Sequence, residues 1–497
     1  MAHAEISPDI ARFAAELDYG RIPARIADKI KLQALSVLGG SFAGSRSSVC
    51  EKIYAAVREW GDPDRSDAVT VVGRAEKLPI HQALHINTAQ SIVHDFDDYL
   101  FAGHTGHSAI LPAFSWAEKQ GRSGRDVITA AAVANEVGGR LGSAFLLGPQ
   151  NGQMWSYIHL LEAACVAGRF LGLDSAAMNH AIGIAFSQPP YPLIPAFFGP
   201  DSKAILAATP TIAGTQAAQM AAHGVTGARD ILGGRDGFIR RVAERPLYFQ
   251  FSGYGTAWLT DSLCFKLFPG CAYIDTAMDA FDAIESARGA QFAADEVESI
   301  RCEANFLTSG MEMLSQRYGN REELSPITVN FSVALSLAVK IAGGALAPEM
   351  LEHDWLARNR DRICGLADRV KVELSSEMSA KMSGLDSVGI DLRRILAAPD
   401  GDYRPSLDGV SFEHYRMAFP VRLTIKTRAG DSFTGTCEVP LGGAGRPTEE
   451  TRATVRKKFV ITATKSIGPD RAERAAAMIA RLEELNDLRE LAALLRP

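Results

Sequence analysis

The segment HDFDDYLFAGHTGHSAILP concentrates side chains that could move protons. Its three acids and three histidines lie within fourteen residues: His94, Asp95, Asp97, Asp98, His104 and His107. A histidine held by a neighbouring carboxylate exchanges protons near neutral pH. The Gly-Thr-Gly neighbourhood and the following Pro112 indicate a loop leaving a helix, where catalytic groups often lie. The segment therefore predicts an acid–base site, and the alternative is an acidic helix end with solvated histidines.

Two lysines stand in unusually apolar surroundings. Lys203 opens an Ala- and Ile-rich helix after FFGPDS, and Lys266 lies within LCFKLFPG. A lysine among hydrophobic residues either extends its ammonium to solvent or is ionised at a cost in free energy. Two isolated surface lysines are the simpler interpretation. If the two converge on one pocket, they would form a site for a carboxylate or for proton transfer.

Other kinds of site lack support in the sequence. Histidine and aspartate can ligate zinc or iron, but no HExxH spacing occurs, so we expect no metal. The glycine-rich strings at 39–44 and 441–450 match neither a dinucleotide fingerprint nor a phosphate loop, so we expect no cofactor. No GxSxG occurs, and no cysteine lies in a recognisable nucleophile signature.

The composition excludes several protein classes. The chain has 497 residues, of which 47% are hydrophobic and 22% charged, with a formal net charge of −6. A disordered chain is excluded, and a protein that binds nucleic acid or a membrane surface is disfavoured. No run approaches the roughly 18 apolar residues that cross a bilayer, and the N-terminus lacks the features of a targeting signal. Seven scattered cysteines without a CxxC pair argue against a disulfide scaffold, and we expect a cytoplasmic protein.

Helical periodicity dominates from Ile6 to about Ser262. The apolar spacing after Pro23 predicts a helix that ends at Gly39-Gly40, and Ser123 is expected to cap a helix that ends at Gly138-Gly139. These helices are rich in alanine and glycine, which permits close approach between them. Helical patterns return from Thr448 to the end of the chain.

The pattern changes after Phe268-Pro269-Gly270. Strand alternation appears in ESIRCEAN, RVKVELSSEM and FPVRLTIKTRAGDSFTGTCEVPL, and RAGD is expected to turn a hairpin. PITVNFSVALSLAVKIAGG between them is interpreted as one buried helix. We therefore predict a mostly α protein with a smaller α+β domain. Residues 1–268 and 446–497 would form the helical domain, and residues 269–445 the α+β domain.

Five segments stand out along the chain: HDFDDY…GHTGHSAILPA, AACVAGRFLGLD, SKAILAATPTIAGTQAAQMAAHGVTG, FKLFPGCAYIDTAMDA and EVPLGGAGRPTEETRATVRKKF. In their motifs and in this order they resemble the MmgE/PrpD family of 2-methylcitrate dehydratases, cis-aconitate decarboxylases and iminodisuccinate epimerases. The resemblance implies a large all-α helical domain formed by both chain ends, an inserted lid domain and a homodimer. It also implies cofactor-free chemistry on small organic acids, with Asp95, His107, Lys203 and Lys266 as the catalytic residues.

The chain departs from the family's pattern at several polar positions. Tyr99 stands where the family has threonine, Gln153 falls on a family histidine that His159 could replace, and Leu335 falls on a family tyrosine. The family's histidine after Cys271 is also absent. A site that loses donors should exclude a ligand with many carboxylates, so the expected substrate is less charged than methylcitrate.

Residues near the matching segments are candidates for substrate binding. They are Tyr99, His104, Gln153, Trp155 and His159. Several aromatic residues nearby either shape a more apolar pocket or belong to the core: Trp155, Tyr157, Tyr191, Phe197 and Phe198.

The retained residues point to a cofactor-independent lyase. The lysines would hold carboxylate or enolate oxygens, and His107, oriented by Asp95, would move a proton at the adjacent carbon. Repulsion between the lysines would lower the pKa of at least one, which could then be the base. Dehydration, decarboxylation and epimerisation share the first intermediate. A C–C bond hydrolase or retro-aldol lyase on a cyclic ketone, and a non-catalytic relative, remain as alternatives.

Overall fold

The helical bundle is built mainly from the first half of the chain. A computed structural model describes residues 5–60, 67–146, 155–191, 193–397 and 405–497. The helices before residue 250 are α1 (Ile6–Glu16), α2 (Ala24–Gly44), α3 (Ser48–Arg58), α4 (Ile80–Ile92), α5 (Gly106–Gln120), α6 (Gly124–Ala144), α7 (Trp155–Phe170), α8 (Ser175–Ala185), α9 (Ile194–Phe197), α10 (Ala208–Ala222) and α11 (Phe238–Val242).

The remaining helices divide between the middle of the chain and its end. Those in the middle are α12 (Ala272–Arg288), α13 (Phe306–Tyr318), α14 (Pro326–Asn330), α15 (Val333–Gly343), α16 (His353–Ala367), α17 (Ser376–Ala380) and α18 (Leu392–Ala397). Those at the end are α19 (Thr448–Ile467), α20 (Pro469–Ala480) and α21 (Arg489–Leu494). Among the described residues, no helix combines the length and apolar character that crossing a membrane requires.

A four-stranded sheet accounts for most of the β-structure. Its strands are β5 (Val297–Ala304), β6 (Val370–Leu374), β7 (Val421–Thr427) and β8 (Ser432–Cys437), in the order β6-β5-β7-β8. The β5–β6 pair is parallel and the other pairs are antiparallel. The predicted hairpin is confirmed, with Val421 opposite Cys437 and the backbone NH of Thr427 donating to Asp431 O across the turn. The fold class, mostly α with a smaller α+β part, is confirmed.

Short strand pairs also occur within the helical part, which the sequence did not predict. β1 (Ala68–Thr70) pairs with β2 (Lys77–Pro79), and β3 (Asp98–Tyr99) pairs with β4 (Cys264–Phe265). The second pair joins two segments that carry candidate site residues.

The predicted helix ends at the two glycine pairs are wrong. The helix α2 continues to Gly44, and α6, capped by Ser123 as expected, continues to Ala144. The glycines instead permit close packing: a Cβ at Gly40 would lie 2.7 Å from Phe96 O, and one at Gly138 would lie 1.8 Å from Glu162 Oε1. These glycines therefore permit close contacts with a loop and with another helix, and both helices continue through them.

The segment interpreted as one buried helix forms two, α14 and α15. The hydroxyl of Ser332 accepts from Leu335 N at 3.1 Å, and the carboxylate of Glu312 accepts from Val333 N at 2.7 Å. These two acceptors satisfy backbone NH groups at the start of α15, so a new helix begins there.

The two largest hydrophobic cores in the described structure hold most of these elements. The larger one includes residues from both chain ends, with the rings of Phe42 on α2 and Phe459 on α19 at 5.9 Å. The second lies between α12, α15, α16 and the sheet, and draws on residues 274–425. The division at residues 268 and 446 remains a prediction.

Candidate active site

Asp95 lies where two buried lysines meet. Its backbone has φ of +53°, the left-handed region, which is unusual for a residue other than glycine and often marks a functional site. Its Oδ1 atom is 3.0 Å from Lys203 Nζ and 3.3 Å from Lys266 Nζ. Lys266 Nζ also donates to the backbone oxygen of Asp95 at 3.1 Å. None of the three side chains is more than 2% exposed, so each charge is stabilised by its oppositely charged neighbours and not by solvent.

Asp97 connects these lysines to two histidines. Its Oδ1 atom accepts from Lys266 Nζ at 2.7 Å. Its Oδ2 atom lies 2.9 Å from His104 Nδ1 and 3.0 Å from His107 Nε2. The predicted pairing of His107 with Asp95 is therefore wrong. The left-handed turn directs Asp95 to the lysines, and Asp97, two residues later, reaches the first turn of α5.

The four predicted catalytic residues thus lie in one connected cluster. Asp95 contacts both lysines directly, and His107 joins them through Asp97. We call Asp95, Asp97, Lys203, Lys266 and His107 the charged cluster. Its members come from the α4–α5 loop, the start of α5, the turn Asp201–Ile205 and the residue after β4. Lys203 therefore precedes α10 in a separate 3-10 turn, and does not open that helix as predicted.

The two lysines differ in their electrostatic surroundings. Burial lowers the pKa of Lys203, although Asp95 opposes this effect. Its ammonium lies 4.7 Å from the ring centre of Phe331 and 5.5 Å from that of Phe197. Burial also opposes the charge of Lys266, but Asp95 and Asp97 together raise its pKa above the ordinary value.

Both carboxylates of the cluster favour the ionised form. Burial opposes the charge of Asp95, but Lys203 and Lys266 lower its pKa. For Asp97 burial is again outweighed, here by Lys266 and the neighbouring histidines, and its pKa falls well below the ordinary value. Burial and the charge of Lys266 lower the pKa of His104 to about 4. The cluster therefore combines two carboxylates with two ammonium groups.

His107 and His159 lie side by side. The Nδ1 atom of His107 is 2.7 Å from Ser91 Oγ, and that of His159 is 2.6 Å from Ser108 Oγ. The two rings meet edge to face at an angle of 67°, with centres 5.6 Å apart. The structure thus brings His159, which could replace a family histidine, next to His107 of the cluster.

Of the other candidates for substrate binding, one lies beside the cluster and two cannot be placed. Tyr99 is buried in β3 with its ring centre 6.1 Å from that of His104. Gln153 and the side chain of Trp155 lie outside the described residues.

The nearby aromatic residues also divide into two groups. Phe197, Phe198 and Phe331 form one apolar cluster at the Lys203 ammonium. Tyr157 packs in the core against Phe238, and Tyr191 is 55% exposed. The aromatic surface near the site therefore comes from the phenylalanines.

Sequence reasoning missed Lys458, which lies beneath the charged cluster. From α19, its ammonium donates to Phe96 O at 2.8 Å, Lys266 O at 2.9 Å and Ser36 Oγ at 3.0 Å. Burial lowers the pKa of Lys458 to about 7. It holds the backbone that carries Asp97 and Lys266. The signal was the Lys-Lys-Phe of the C-terminal motif, whose partner lies 362 residues earlier.

The donor set also bears on a metal. One ligand atom each from Asp95, Asp97 and His104 lie within 4.8 Å of one another. The ammonium of Lys266 lies at 2.7 Å from Asp97 Oδ1 and 3.3 Å from Asp95 Oδ1, so it already occupies the position of a cation. A dication beside this ammonium would meet strong repulsion, and the donor set does not fit a metal centre.

Comparison with known proteins finds one matching family model and several similar enzymes. Residues 8–249 match the MmgE/PrpD N-terminal domain. Cis-aconitate decarboxylase of Aspergillus terreus is 26% identical over 430 residues, covering 78% of this chain and 86% of that enzyme. Cis-aconitate decarboxylase of Homo sapiens is 24% identical over an alignment of 509 positions, covering 97% and 92% of the two chains. Residues 8–249 thus resemble the N-terminal domain of MmgE/PrpD proteins, and the chain is similar at low identity to cis-aconitate decarboxylases.

Proposed function

We propose that this protein is a cofactor-independent lyase that acts on a small organic acid by proton transfer next to a carboxylate. One observation carries the proposal: Lys203 and Lys266 meet at one oxygen of Asp95, and Asp97 joins Lys266 to His107. Ammonium groups and a histidine that are linked through shared carboxylates can bind an acid and move its proton.

Lys203 is the group best suited to bind a substrate carboxylate. Apart from its ion pair with Asp95, its Nζ atom has no hydrogen-bond partner among the described residues. Two of its N–H groups therefore remain for a ligand, and phenylalanine rings exclude water around them. In such dry surroundings an ammonium stabilises a developing negative charge more strongly than in water.

His107 is the proposed proton carrier. It lies beside Asp97, which faces the positive charge that the imidazole gains when it takes up a proton. Ser91 holds its other ring nitrogen, so the orientation of the ring is defined. This assignment keeps His107 as the acid–base residue and gives the supporting role to Asp97.

Decarboxylation is the reaction we favour, since the relatives above are named cis-aconitate decarboxylases. The bond between the departing carboxylate and its carbon breaks, and CO2 leaves. The electron pair remains on that carbon and is shared with an oxygen that Lys203 stabilises. A proton from His107 then reaches the carbon. Removal of a proton from the carbon beside a retained carboxylate, followed by departure of hydroxide from the resulting enolate, would instead give a dehydratase.

The proposed substrate carries fewer charges than methylcitrate. Tyr99 is buried beside His104, and Phe197 and Phe331 pack on the Lys203 ammonium. These side chains offer apolar surface where additional carboxylates would need donors. A mono- or dicarboxylate with an apolar or cyclic remainder fits such surroundings.

A ligand screen and one variant test this proposal. Thermal unfolding of the full chain with mono-, di- and tricarboxylates should show the highest Tm with a less charged acid, since binding stabilises the folded state. Release of CO2 from the stabilising acids then identifies the reaction. Solvent deuterium uptake without CO2 would indicate the epimerase alternative.

Lys203→Met should lower kcat/KM by at least about 10³-fold and abolish the ligand-induced rise in Tm. The matched control is Lys340→Met, because Lys340 is also buried but pairs with Asp282 at 2.6 Å away from the cluster. Full activity of Lys203→Met would contradict the proposed site. Stabilisation by citrate-like acids alone would contradict the proposed substrate class.

A further inference from the structure

His159 has a polar support of its own, separate from the carboxylates of the charged cluster. His159 and Glu162 lie three residues apart on α7 and both approach Ser108 on α5. Ser108 Oγ is 2.6 Å from His159 Nδ1 and is hydrogen-bonded to Glu162 Oε2. All three side chains are fully buried. Gly138 on α6 leaves the space that Glu162 occupies, because any Cβ there would overlap its carboxyl group.

Because Glu162 Oε1 has no hydrogen-bond partner among the described residues, a proton there would be buried unpaired, and two proton arrangements of this triad remain. The Ser108 hydroxyl has one proton, so it donates either to Glu162 or to His159. If it donates to an ionised Glu162, His159 must donate from Nδ1, and Nε2 is left as an acceptor. If Glu162 is protonated and donates to Ser108, then Ser108 donates to Nδ1, and the imidazole carries its proton on Nε2.

Electrostatics favours the second arrangement. Burial raises the pKa of Glu162 well above its ordinary value, with only Ser108 opposing this. Burial also lowers the pKa of His159 well below its ordinary value, and the neighbouring imidazoles His107 and His104 add to this effect. A protonated carboxyl and a neutral imidazole therefore face the same hydroxyl.

The Nε2 atom of His159 is the last polar atom of the hydrogen-bonded series Glu162–Ser108–His159. It is buried and has no hydrogen-bond partner among the described residues. Buried polar atoms without a partner are rare in folded proteins and call for a ligand or an ordered water. The edge-to-face contact with the His107 ring, 5.6 Å between centres, puts His159 next to the proposed proton carrier.

We propose that Glu162 and Ser108 are positioning residues that hold His159 as the Nε2–H tautomer, which donates a hydrogen bond to a substrate oxygen. This inference rests on the proposed function, because it takes the charged cluster as the place where substrate binds. His107 and His159 then have different roles in the reaction. His107, beside a carboxylate, exchanges a proton, whereas His159 stays neutral and stabilises negative charge on oxygen, as neutral histidines can.

The tautomer can be observed directly by NMR of the full-length protein labelled with ¹⁵N-histidine. The signals of His159 are assigned by their absence in His159→Phe. We expect the Nε2 resonance of a protonated nitrogen and the Nδ1 resonance of an unprotonated one, unchanged between pH 6 and 8. A proton on Nδ1, or titration of the ring in this range, would overturn the inference.

Variants of Glu162 separate positioning from simple packing. In Glu162→Gln the amide can still donate to Ser108, so the tautomer should persist and kcat should fall by less than about threefold. Glu162→Met fills the space without a donor, so we expect a mixture of tautomers and a loss in kcat of about tenfold. His159→Phe should lose about 100-fold, the usual effect of removing one donor to a developing charge. Unchanged tautomer and kcat in Glu162→Met would contradict the proposal.

Glu136 provides a matched control. It is a fully buried glutamate on α6 that is also hydrogen-bonded to a hydroxyl, here as the acceptor from Thr260 Oγ1 at 2.8 Å. Glu136→Gln should lower stability and leave the His159 signals unchanged. If the Nε2–H signal is present but no lyase activity is found with any acid, the proposed function fails and the tautomer assignment stands.

Discussion

Two groups of buried charges in the helical part of the protein are built in opposite ways. On α6, the carboxylate of Glu136 accepts from Leu259 N at 3.1 Å and Thr260 N at 2.9 Å. Arg140, one turn further, donates to three backbone oxygens, those of Gln250, Gly253 and Ala257. These two side chains bind the loop around residues 250–260 to the helix.

In the charged cluster the side chains mostly contact one another. Asp95 contacts Lys203 and Lys266, and Asp97 contacts Lys266 and His107. Lys203 keeps N–H groups without a partner among the described residues. The comparison shows how burial of charge can serve two purposes. Charges bound to backbone groups stabilise a loop, whereas charges that hold each other and keep spare donors can receive a ligand.

The sharpest test of this comparison removes the ammonium shared by the two carboxylates. Lys266→Met leaves Asp95 and Asp97 as adjacent buried acids without their common partner, and we expect kcat/KM to fall by at least about 10³-fold. Steady-state kinetics of the folded variant measures this. Lys29→Met is the control, since Lys29 donates to Leu263 O nearby but lies outside the cluster. A variant of Lys266 with normal activity would remove the cluster from the proposed mechanism.

The corresponding change in the other group should affect stability. Arg140→Met leaves the Glu136 carboxylate buried without its partner at 3.2 Å, and we expect the free energy of unfolding to fall by about 3–5 kcal/mol. Denaturant unfolding measures this change. The kcat of the folded variant should stay within about twofold of the original. If Arg140→Met and Lys266→Met lost activity equally and both kept their stability, the proposed difference between a stabilising and a ligand-binding group of charges would be wrong.

Asp98 sharpens the comparison, because it adjoins the cluster without an ammonium partner of its own within 4 Å in the described structure. Burial and the charge of Asp97 raise its pKa to about 7, and Gln33 donates to it at 2.8 Å. A carboxyl with a raised pKa adds stability that is complete below about pH 4 and is lost as the pH rises through 7.

Asp98→Asn mimics the protonated form and should lack this loss. The free energy of unfolding of Asp98→Asn relative to the original protein should therefore increase between pH 4 and 7, by up to about 4 kcal/mol. Chemical denaturation at several pH values measures the difference. A difference that does not vary with pH would show that Asp98 is ionised throughout this range.

The smallest effect is expected from metal removal. Because Lys266 occupies the position of a cation between Asp95 and Asp97, prolonged treatment with a chelator should leave activity within about twofold. Activity measured before and after dialysis tests this. Inactivation that one added metal reverses would assign Asp95, Asp97 and His104 to a metal site instead.

Local features of the protein were predictable where short-range physics dominates. The mostly α fold class, the Ser123 cap and the β7–β8 hairpin follow from periodicity, capping and turn chemistry, which depend on a few neighbouring residues. The glycine pairs in α2 and α6 were misread because their role lies in contacts with helices and loops that are distant along the chain. At Gly40 the nearest group is a backbone oxygen of the α4–α5 loop, far along the chain.

The sequence by itself determined the residue types available for chemistry: an acid- and histidine-rich loop and two lysines in apolar segments. It could not determine which acid faces which base. That pairing depends on the left-handed turn at Asp95, the β3–β4 pairing and the packing of α19, which brings Lys458 beneath the site. Side-chain partners are selected by distances between elements, and those distances exist only once the helices have packed.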